Sequence, residues 1–320
     1  MKVPDIYFEE YWGLLNAEQD GGTYESYCYE DENGIILHRF IKRETMLSGI
    51  YDIISPSGFN GPVVLKYRPE RKSDLLRSFN HDFQQYCMSN NIVAEYVRFS
   101  PWIKNHEDFK DIYKLKHHAQ TIGIDLTKDY FNDEFRRKRR ANILKAEKSG
   151  MEIEFDFNAE TVDEFYRLYC IMYDKNNQDD PASIHRLSRE YISDLVEKCK
   201  GHLFIMNAIL HDAVISSAIY IYSDQYVHGY LAGNDPIYLK NNAHSLIISK
   251  ACEWGKDNHK SALHLGGSRN EGLYNFKKQF TKEGVYDFYV GYRVRLNDPY
   301  DQLIQLRGKA NEAYFPAYRE

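Results

Sequence analysis

The stretch that decides the fold runs from residue 262 to residue 280 and reads Ala-Leu-His-Leu-Gly-Gly-Ser-Arg-Asn-Glu-Gly-Leu-Tyr-Asn-Phe-Lys-Lys-Gln-Phe. Its first residues have the apolar pattern of a short buried strand, which ends in a double glycine at 266–267. Apolar residues then recur at helical spacing, namely Leu273, Phe276 and Phe280. A strand that opens through glycines onto a helix is a common ligand site, because the backbone can approach closely and the helix offers unpaired N–H groups. The stretch therefore predicts a ligand site beside Lys277 and Lys278.

The composition is that of a soluble globular protein of about two domains. The 320 residues are 43% hydrophobic and 28% charged, and 27 tyrosines favour sheet structure. The five cysteines are odd in number and scattered, and none forms a metal-spaced pair. The N-terminus lacks the apolar segment of a signal peptide, and the apolar run at 203–222 is broken by His211 and Asp212 as in a hairpin. These features predict a reduced, cytoplasmic protein without a metal site or a membrane span.

Positive charge is concentrated in one segment of an otherwise acidic chain. The net charge is −6, yet residues 136–148 contain seven basic residues and one acid, Glu147, for a net +6. A cationic segment on an acidic protein indicates an anionic ligand such as a phosphate, a diphosphate or RNA. The alternative is a helix face that is only solvated.

The order of predicted elements repeats along the chain. The first half predicts a helix at 4–17, a hairpin at 24–29 and 34–41, a strand from 51, a helix at 73–89 and strands at 92–99 and within 112–126. The second half predicts a strand at 151–155, helices at 161–173 and 188–198, three antiparallel strands within 203–231, a helix at 243–257, a strand at 263–265, a helix at 271–281, a strand at 285–295 and a helix at 298–312. Thr161 with Glu164 has the spacing of a capping box. This order predicts a mixed α/β fold.

Four stretches together resemble the Fem-type transferases. Residues 51–62, Tyr-Asp-Ile-Ile-Ser-Pro-Ser-Gly-Phe-Asn-Gly-Pro, are similar to a loop of the first domain in bacterial members tied to cell-surface polysaccharide. Residues 137–150 resemble the basic linking helix, and residues 229–246 resemble the strand, turn and helix that bind the cofactor diphosphate in ordinary GNAT (Gcn5-related N-acetyltransferase) domains. Residues 263–280 resemble the Leu-Gly-Gly strand and the Leu-x-x-Phe-Lys-x-x-Phe helix.

The resemblance implies two tandem GNAT-like domains with a cleft between them. The expected domains are residues 1–130, degenerate and on the acceptor side, and residues 131–320, with 298–320 as a segment that packs back on the first domain. The chain also departs from the family pattern. The stretch 240–245, Lys-Asn-Asn-Ala-His-Ser, has no glycine where CoA-dependent members have them. Ser100 stands before Pro101 where tRNA-dependent members commonly carry Asp, and the coiled-coil arm of some members is missing.

Lys277 is the main catalytic candidate, because the resemblance places it beside the transferred carbonyl. There it would stabilise the oxyanion or the leaving group; the alternative is a surface lysine whose stem covers apolar area. Lys278 points about 100° away on the helix. His228 and Tyr230 alternate on one strand with the same facing, so His228 is a candidate base, or else a hydrogen-bonded core histidine.

The remaining candidates are predicted to bind ligands. The predicted substrate contacts are Asp52, Ser55, Ser57, Gly58, Arg139, Lys145, Lys148, Arg269 and Phe276. The predicted donor contacts are Lys240, Ala243 and Ser245. Asp52 is alternatively a turn former, and the polar group at 268–270 is alternatively a helix N-cap by Ser268 or Asn270.

These observations predict an acyltransferase that acts on an amine of a cell-wall or surface-polysaccharide precursor. The donor is an aminoacyl-tRNA or an acyl-CoA, and no permanently bound cofactor is expected. The expected acceptor is a phosphorylated glycan or peptidoglycan precursor, at a membrane surface in one version, with tRNA as a further candidate partner and no DNA. One alternative is a CoA-dependent N-acetyltransferase of an amino sugar. An alternative of another class is a non-catalytic tandem domain that binds a glycan or a nucleotide-sugar.

Overall fold

The computed structural model describes residues 1–176, 186–268, 270–308 and 314–319. The strands in this part of the chain are β1 (Thr23–Asp31), β2 (Gly34–Glu44), β3 (Tyr51–Ile54), β4 (Val63–Tyr67), β5 (Ile92–Arg98), β6 (Lys114–Asp125), β7 (Glu152–Asp156), β8 (Leu203–Leu210), β9 (Ala213–Tyr222), β10 (Tyr226–Asn234), β11 (Ala262–Gly266) and β12 (Val285–Val294). The α-helices are α1 (Glu10–Asn16), α2 (Lys72–Ser89), α3 (His106–Phe109), α4 (Arg137–Glu147), α5 (Val162–Asn176), α6 (Arg189–Lys198), α7 (Ala243–Asp257), α8 (Glu271–Lys277) and α9 (Asn297–Arg307). None of these helices is long and apolar enough to cross a bilayer.

The chain divides into two compact units. The first unit comprises residues 1–119 and 287–320, and the second comprises residues 120–286. The sequence placed the division near residue 130 and assigned the last strand and helix to the second half, so the compact units differ from the expected ranges. In the structure, Leu303 of α9 and Tyr318 pack against Val93 and Ala94 of β5, which makes the C-terminal segment part of the first unit.

The first unit is a mixed sheet with α2 packed on it. Its strands lie in the order β1-β2-β3-β5-β12, and β4 pairs with β2. Helix α2 presents Leu75, Phe79, Phe83 and Cys87 at four-residue intervals, which places all four on one face in the buried core. The strand β4 was missing from the sequence prediction, because its five residues follow a Pro-Gly-rich loop without a clear alternation.

The second unit has the strand order β6-β11-β10-β9-β8-β7. Antiparallel strands β8, β9 and β10 follow one another as predicted, and the turn after β8 uses His211 and Asp212, both with positive φ. The parallel pairing of β10 with β11 is short and ends at the pair His228–His264. A bulge between Gly229 and Leu231 then shifts the register of β10 against β9. It lies just after the point where the pairing of β10 with β11 ends.

The predicted capping box at α5 is wrong. The Thr161 hydroxyl donates to Asp156 and accepts from Asn207, with oxygen–oxygen and nitrogen–oxygen distances of 2.7 Å and 2.9 Å. Glu164 pairs with Arg167 one turn further on. Sequence spacing could not reveal that a carboxylate from the preceding strand takes the position of the cap.

A fully neutralised charge cluster stabilises the core of the first unit. Glu95 is completely buried and accepts two hydrogen bonds from Arg295, at 2.9 Å and 2.6 Å, and one each from His38 and Tyr113, at 2.7 Å. Burial alone would raise the pKa of Glu95, but the Arg295 guanidinium and the hydrogen bonds outweigh it and lower the pKa to about 2. The ion pair joins β5 to the residue that follows β12.

Glu95→Gln should destabilise the first unit by about 3–5 kcal/mol, because the substitution leaves the Arg295 guanidinium buried without a counter-charge. Urea unfolding followed by circular dichroism measures this. The pKa of the Glu95 carboxyl is lower in the folded than in the unfolded protein. The stability that Glu95 contributes is therefore complete above its pKa in the unfolded chain and is lost as the pH falls toward 2. Asp74→Asn, which removes surface pairs with Arg71 and Arg77, is the matched control and should cost less than about 1 kcal/mol. Equal losses for the two variants would contradict the role of the buried pair.

Candidate active site

The centre of the candidate site is Arg139, a buried cation without a carboxylate partner in the described part of the chain. Arg139 lies on α4 and is 4% exposed. Its guanidinium donates to the Ser245 hydroxyl in the first turn of α7 and, at 3.1 Å, to the side-chain carbonyl of Gln279. It also lies over the rings of Phe276 and Phe280, with Cζ to centroid distances of 4.5 Å and 4.8 Å. The Nε atom is buried and has no hydrogen-bond partner.

Burial is the cause of the altered acidity of Arg139. Removal of the guanidinium from water lowers its pKa to about 10, which still leaves it charged at neutral pH. A charged group with this burial and no counter-ion favours binding of an anion, because an anion would restore the electrostatic stabilisation that water gave.

His244 is the second member of the site and was not among the predicted site residues. It follows the first residue of α7, and its ring stacks on Phe276 with a centroid distance of 6.0 Å. Its Nδ1 atom is buried without a hydrogen-bond partner. Burial, and then the positive charges of Lys277 and Arg139, lower the pKa of His244 to about 4, so the imidazole is neutral near pH 7.

Lys277 lies at the end of α8 and reaches back to the end of β11. Its ammonium donates to the carbonyl oxygen of Gly267 at 2.5 Å. Gly266, with φ of +72°, makes the turn, and a Cβ added at Gly266 would lie 3.8 Å from the Lys277 Nζ atom. A left-handed residue is needed for the chain to turn here, which explains the glycine at the end of this strand.

The start of α7 completes the cationic environment. Ala243 and Ser245 occupy its first turn, and the N-cap residue Asn242 has left-handed backbone with no side-chain cap. The first N–H groups of a helix lack intrahelical partners and carry partial positive charge. The structure thus brings Arg139, Ser245 and Phe276 into contact, and Lys277 lies near enough for its charge to act on His244. Their roles in binding and catalysis remain predictions.

Other predicted residues of the second unit lie apart from this cluster. Lys145 and Lys148 are exposed on the outer face of α4, and Lys240 is exposed before α7. Arg269 lies outside the described residues. Asn270 is the N-cap of α8 and accepts from the Leu273 N–H at 2.8 Å, which is one of the two alternatives for this polar group.

His228 and Tyr230 make separate contacts. His228 is 1% exposed, and its Nδ1 atom lies 3.4 Å from that of His264, whose pKa is lowered well below its usual value by burial, by His228 and by Lys277. The Tyr230 hydroxyl lies 2.7 Å from that of Tyr191 on α6. The bulge at Tyr230 interrupts the alternation that the sequence assumed for these two residues. Their catalytic roles remain predictions.

Asp52 forms an ion cluster inside the first unit. It is fully buried, and its carboxylate accepts from Arg43 at 2.8 Å, from the Tyr318 hydroxyl at 2.9 Å and from Arg319 at 2.5 Å. These contacts join β3 to the C-terminal segment. A substrate contact at Asp52 would require one of them to break, so the geometry gives this residue a structural role.

The loop that contains Ser55, Ser57 and Gly58 is held firmly by its own surroundings. The Ser55 hydroxyl accepts from the Arg98 N–H at 3.0 Å, and Ser57 donates through its N–H and its hydroxyl to Asp20, both at 2.8 Å. Gly58 has φ of +111°, and a Cβ there would lie 2.5 Å from the Tyr7 ring. Only glycine fits that position, which gives the loop one shape. Substrate contact by these three residues remains a prediction.

The described residues contain no group of three or more His, Cys, Asp or Glu side chains that could hold a metal ion. The site residues that the sequence interpretation missed are His244 and Gln279. His244 stands in the stretch 240–245 that was compared with the diphosphate loop, and Gln279 follows Phe276 by three residues on the same segment. The pattern of charged residues alone did not indicate that Arg139 donates to Gln279 or that its charge acts on His244.

Comparison with known proteins relates part of the second unit to one domain family and the whole chain to solved structures of the same fold. Residues 133–278 match the acetyltransferase (GNAT) domain family. The crystal structure of FemX superposes with a TM-score of 0.73 at 12% identity, and the match covers 94% of this chain and 95% of that one. The comparison with curated protein sequences gives no match.

Two further structures share the fold at low identity. L-PGS from Bacillus licheniformis matches with a TM-score of 0.54 at 14% identity, covering 93% of this chain and 90% of its own. A C-terminal domain assigned to a lysylphosphatidylglycerol synthetase of Agrobacterium fabrum matches with a TM-score of 0.56 at 10% identity, covering 92% and 89%. The predicted mixed α/β fold with tandem GNAT-like domains, and the resemblance on which it rested, are confirmed.

Sulfate binding should raise the pKa of His244 from about 4, because a bound dianion offsets the charges of Arg139 and Lys277 that lower it. Since the protonated imidazole is favoured in the complex, sulfate affinity should rise as the pH falls toward 4. NMR titration of the His244 ring with and without sulfate measures the shift. Arg139→Met should weaken sulfate binding about tenfold or more. A His244 titration that is the same at saturating sulfate would contradict the assignment of this cluster as an anion site.

Proposed function

We propose that this chain, a Fem-like tandem GNAT-fold protein, transfers an acyl or aminoacyl group to an amine of a phosphorylated cell-wall or surface-polysaccharide precursor. The observation that carries the proposal is the buried, unneutralised guanidinium of Arg139 beside Lys277 and the neutral His244. Such a transfer brings together a phosphate, which is an anion, and an acyl carbonyl, whose oxygen becomes negative during the reaction. Positive charge stabilises both.

The phosphate belongs at Arg139 and the start of α7 in this proposal. The buried Nε–H of Arg139 is available as a donor, and Ser245 fixes the guanidinium at the helix terminus. Guanidinium groups bind phosphate through charge-assisted hydrogen bonds, and helix N-termini add N–H donors. The phosphate is that of the donor or of the acceptor; the cluster suits either.

Lys277 then serves the carbonyl. The acceptor amine attacks the acyl carbon and forms the new C–N bond, while the carbonyl electrons move onto the oxygen. The Lys277 ammonium stabilises that negative charge by donating a hydrogen bond, as an oxyanion-hole donor does. The amine proton passes to a base, the leaving group departs with the electrons of its bond to the acyl carbon, and the carbonyl re-forms. His244 is suited to take the proton once a bound anion has raised its pKa.

The donor and acceptor classes are separate parts of the proposal. The glycine-free stretch 240–245 supports an aminoacyl-tRNA over an acyl-CoA, while the acidic net charge of −6 gives little support to a broad RNA contact. The name of the Agrobacterium fabrum relative refers to a phosphatidylglycerol lipid, which supports an acceptor carrying phosphate and lipid. Thermal stabilisation by micromolar acetyl-CoA would favour the CoA-dependent alternative, and loss of transfer in lysate after RNase treatment would favour the tRNA-dependent one.

Lys277→Ala should lower kcat/KM for acyl transfer by about 10²–10³, the usual effect of removing one oxyanion donor. Lys278→Ala is the matched control: its ammonium lies over the Tyr274 ring, 5.4 Å from the centroid, and transfer should change less than about twofold. Product formation with a saturating donor and acceptor measures both variants. If Lys277→Ala keeps ligand affinity and the wild-type chain shows no transfer, the non-catalytic binding alternative replaces this proposal.

A further inference from the structure

The second unit exposes a group of large aliphatic side chains around the start of α7. In its described residues, the large apolar side chains that remain exposed are Leu144, Phe157, Ile237, Leu239 and Leu273. Ile237 is 81% exposed and Leu239 is 43% exposed, both on the short 3-10 segment that leads into α7. Single exposed aliphatic residues are ordinary, but two exposed within three residues of one short segment are less common.

Contacts within the unit place Leu144 and Leu273 on neighbouring elements. Leu144 lies on α4, whose Arg139 reaches the first turn of α7 and whose Glu147 pairs with Lys250 of α7 at 3.7 Å. The two helices therefore run alongside each other in the same direction. Leu273 lies one turn before Phe276 on α8, and the Phe276 ring contacts both Arg139 and His244. Four of the five exposed apolar residues thus belong to the elements that form the candidate site.

Unpaired cations accompany these aliphatic residues. The exposed basic residues of this region are Arg136, Arg137, Lys138, Lys145, Lys148 and Lys240. In the described part of the chain none of these six side chains makes an ion pair. The acids on the same or adjoining segments are Glu147, which pairs with Lys250, Asp235, whose side chain accepts from the Ile237 N–H, and the exposed residues Asp133 and Glu271, so the basic residues outnumber them. The region is therefore strongly cationic although the whole chain is acidic.

We propose that this region, defined by Ile237, Leu239, Leu144 and the exposed cations of α4, is a docking surface for an anionic phospholipid bilayer. Surfaces that lie on membranes combine aliphatic side chains, which enter the headgroup region, with lysine and arginine, which attract anionic lipids. Each cation near such a surface strengthens binding, and each aliphatic side chain leaves water when the surface docks. Both components are present here, on α4 and on the segment that leads into the neighbouring helix α7.

The aliphatic side chains favour a bilayer over RNA as the partner. RNA recognition uses cations for phosphates, and aromatic rings or arginine planes for bases. Ile237 and Leu239 are neither cationic nor planar, so they would gain no favourable contact with the phosphates or bases of RNA. The proposal does not depend on the proposed acyl transfer, since docking can be measured without donor or acceptor, although it would bring the site to substrates carried by the membrane.

Co-sedimentation of the full chain with vesicles tests the surface. The wild-type chain should bind vesicles of phosphatidylglycerol and phosphatidylcholine, and binding to phosphatidylcholine alone should be at least about tenfold weaker. Ile237→Ser combined with Leu239→Ser should lower partition onto the anionic vesicles about tenfold or more. Arg137→Gln combined with Lys138→Gln should lower it by a similar factor, and high salt should weaken the wild type.

The matched control is Met88→Ser combined with Leu306→Ser, two residues of the first unit that are 50% and 60% exposed. This control should bind as the wild type does, and circular dichroism checks that all variants are folded. No binding of the wild type to anionic vesicles would overturn the proposal. Equal binding of the Ile237→Ser/Leu239→Ser variant and the control would also overturn it. Binding to bulk tRNA that depends on Arg137 and Lys138, without vesicle binding, would assign the surface to RNA instead.

Discussion

The second unit depends on burying a guanidinium without a carboxylate. Arg139 loses its hydration and receives in exchange one hydroxyl, one amide carbonyl and the faces of two aromatic rings, so its pKa falls to about 10. Neutral acceptors and π faces compensate only part of the desolvation of a cation. The same contacts fix α4 against the start of α7 and against the segment that follows α8. Consequently the contacts that position His244 and Lys277 also keep the Arg139 guanidinium buried without a counter-ion.

In the first unit, by contrast, the buried charges of Glu95 and Asp52 are paired with opposite charges. Glu95 and Arg295 neutralise each other through two hydrogen bonds to the Oε2 atom of Glu95, and its Oε1 atom accepts from His38 and Tyr113. Asp52 is likewise saturated, by two arginines and a tyrosine. A satisfied ion pair adds order to a core but has no remaining affinity for a ligand. The buried charges of Glu95 and Asp52 are therefore structural, whereas Arg139 in the second unit has no counter-charge among the described residues.

The sequence predicted most of the architecture and about half of the site. Helix α7 begins and ends at the predicted residues, and the family resemblance together with helix geometry separated Lys277 from Lys278. Local patterns are sufficient for such features because neighbours in sequence decide them. Contacts between distant residues were not accessible: the Ser245–Arg139 bond spans 106 positions, and the Asp156 carboxylate replaced the expected cap at Thr161. His244 was missed for the same reason, since its pKa is lowered by burial in the folded unit and then by cations on other elements.

Electrostatic coupling within the site has a consequence for the order of events under the proposed function. With no anion bound, the imidazole of His244 is too weak a base to hold a proton at neutral pH, because burial and two positive charges oppose its protonation. An anion at Arg139 removes part of that opposition and moves the imidazole toward its ordinary basicity. Proton acceptance at His244 is then linked to occupancy of the phosphate position. A substrate that lacks the phosphate would therefore bind more weakly and would also leave the pKa of His244 too low for it to accept the amine proton.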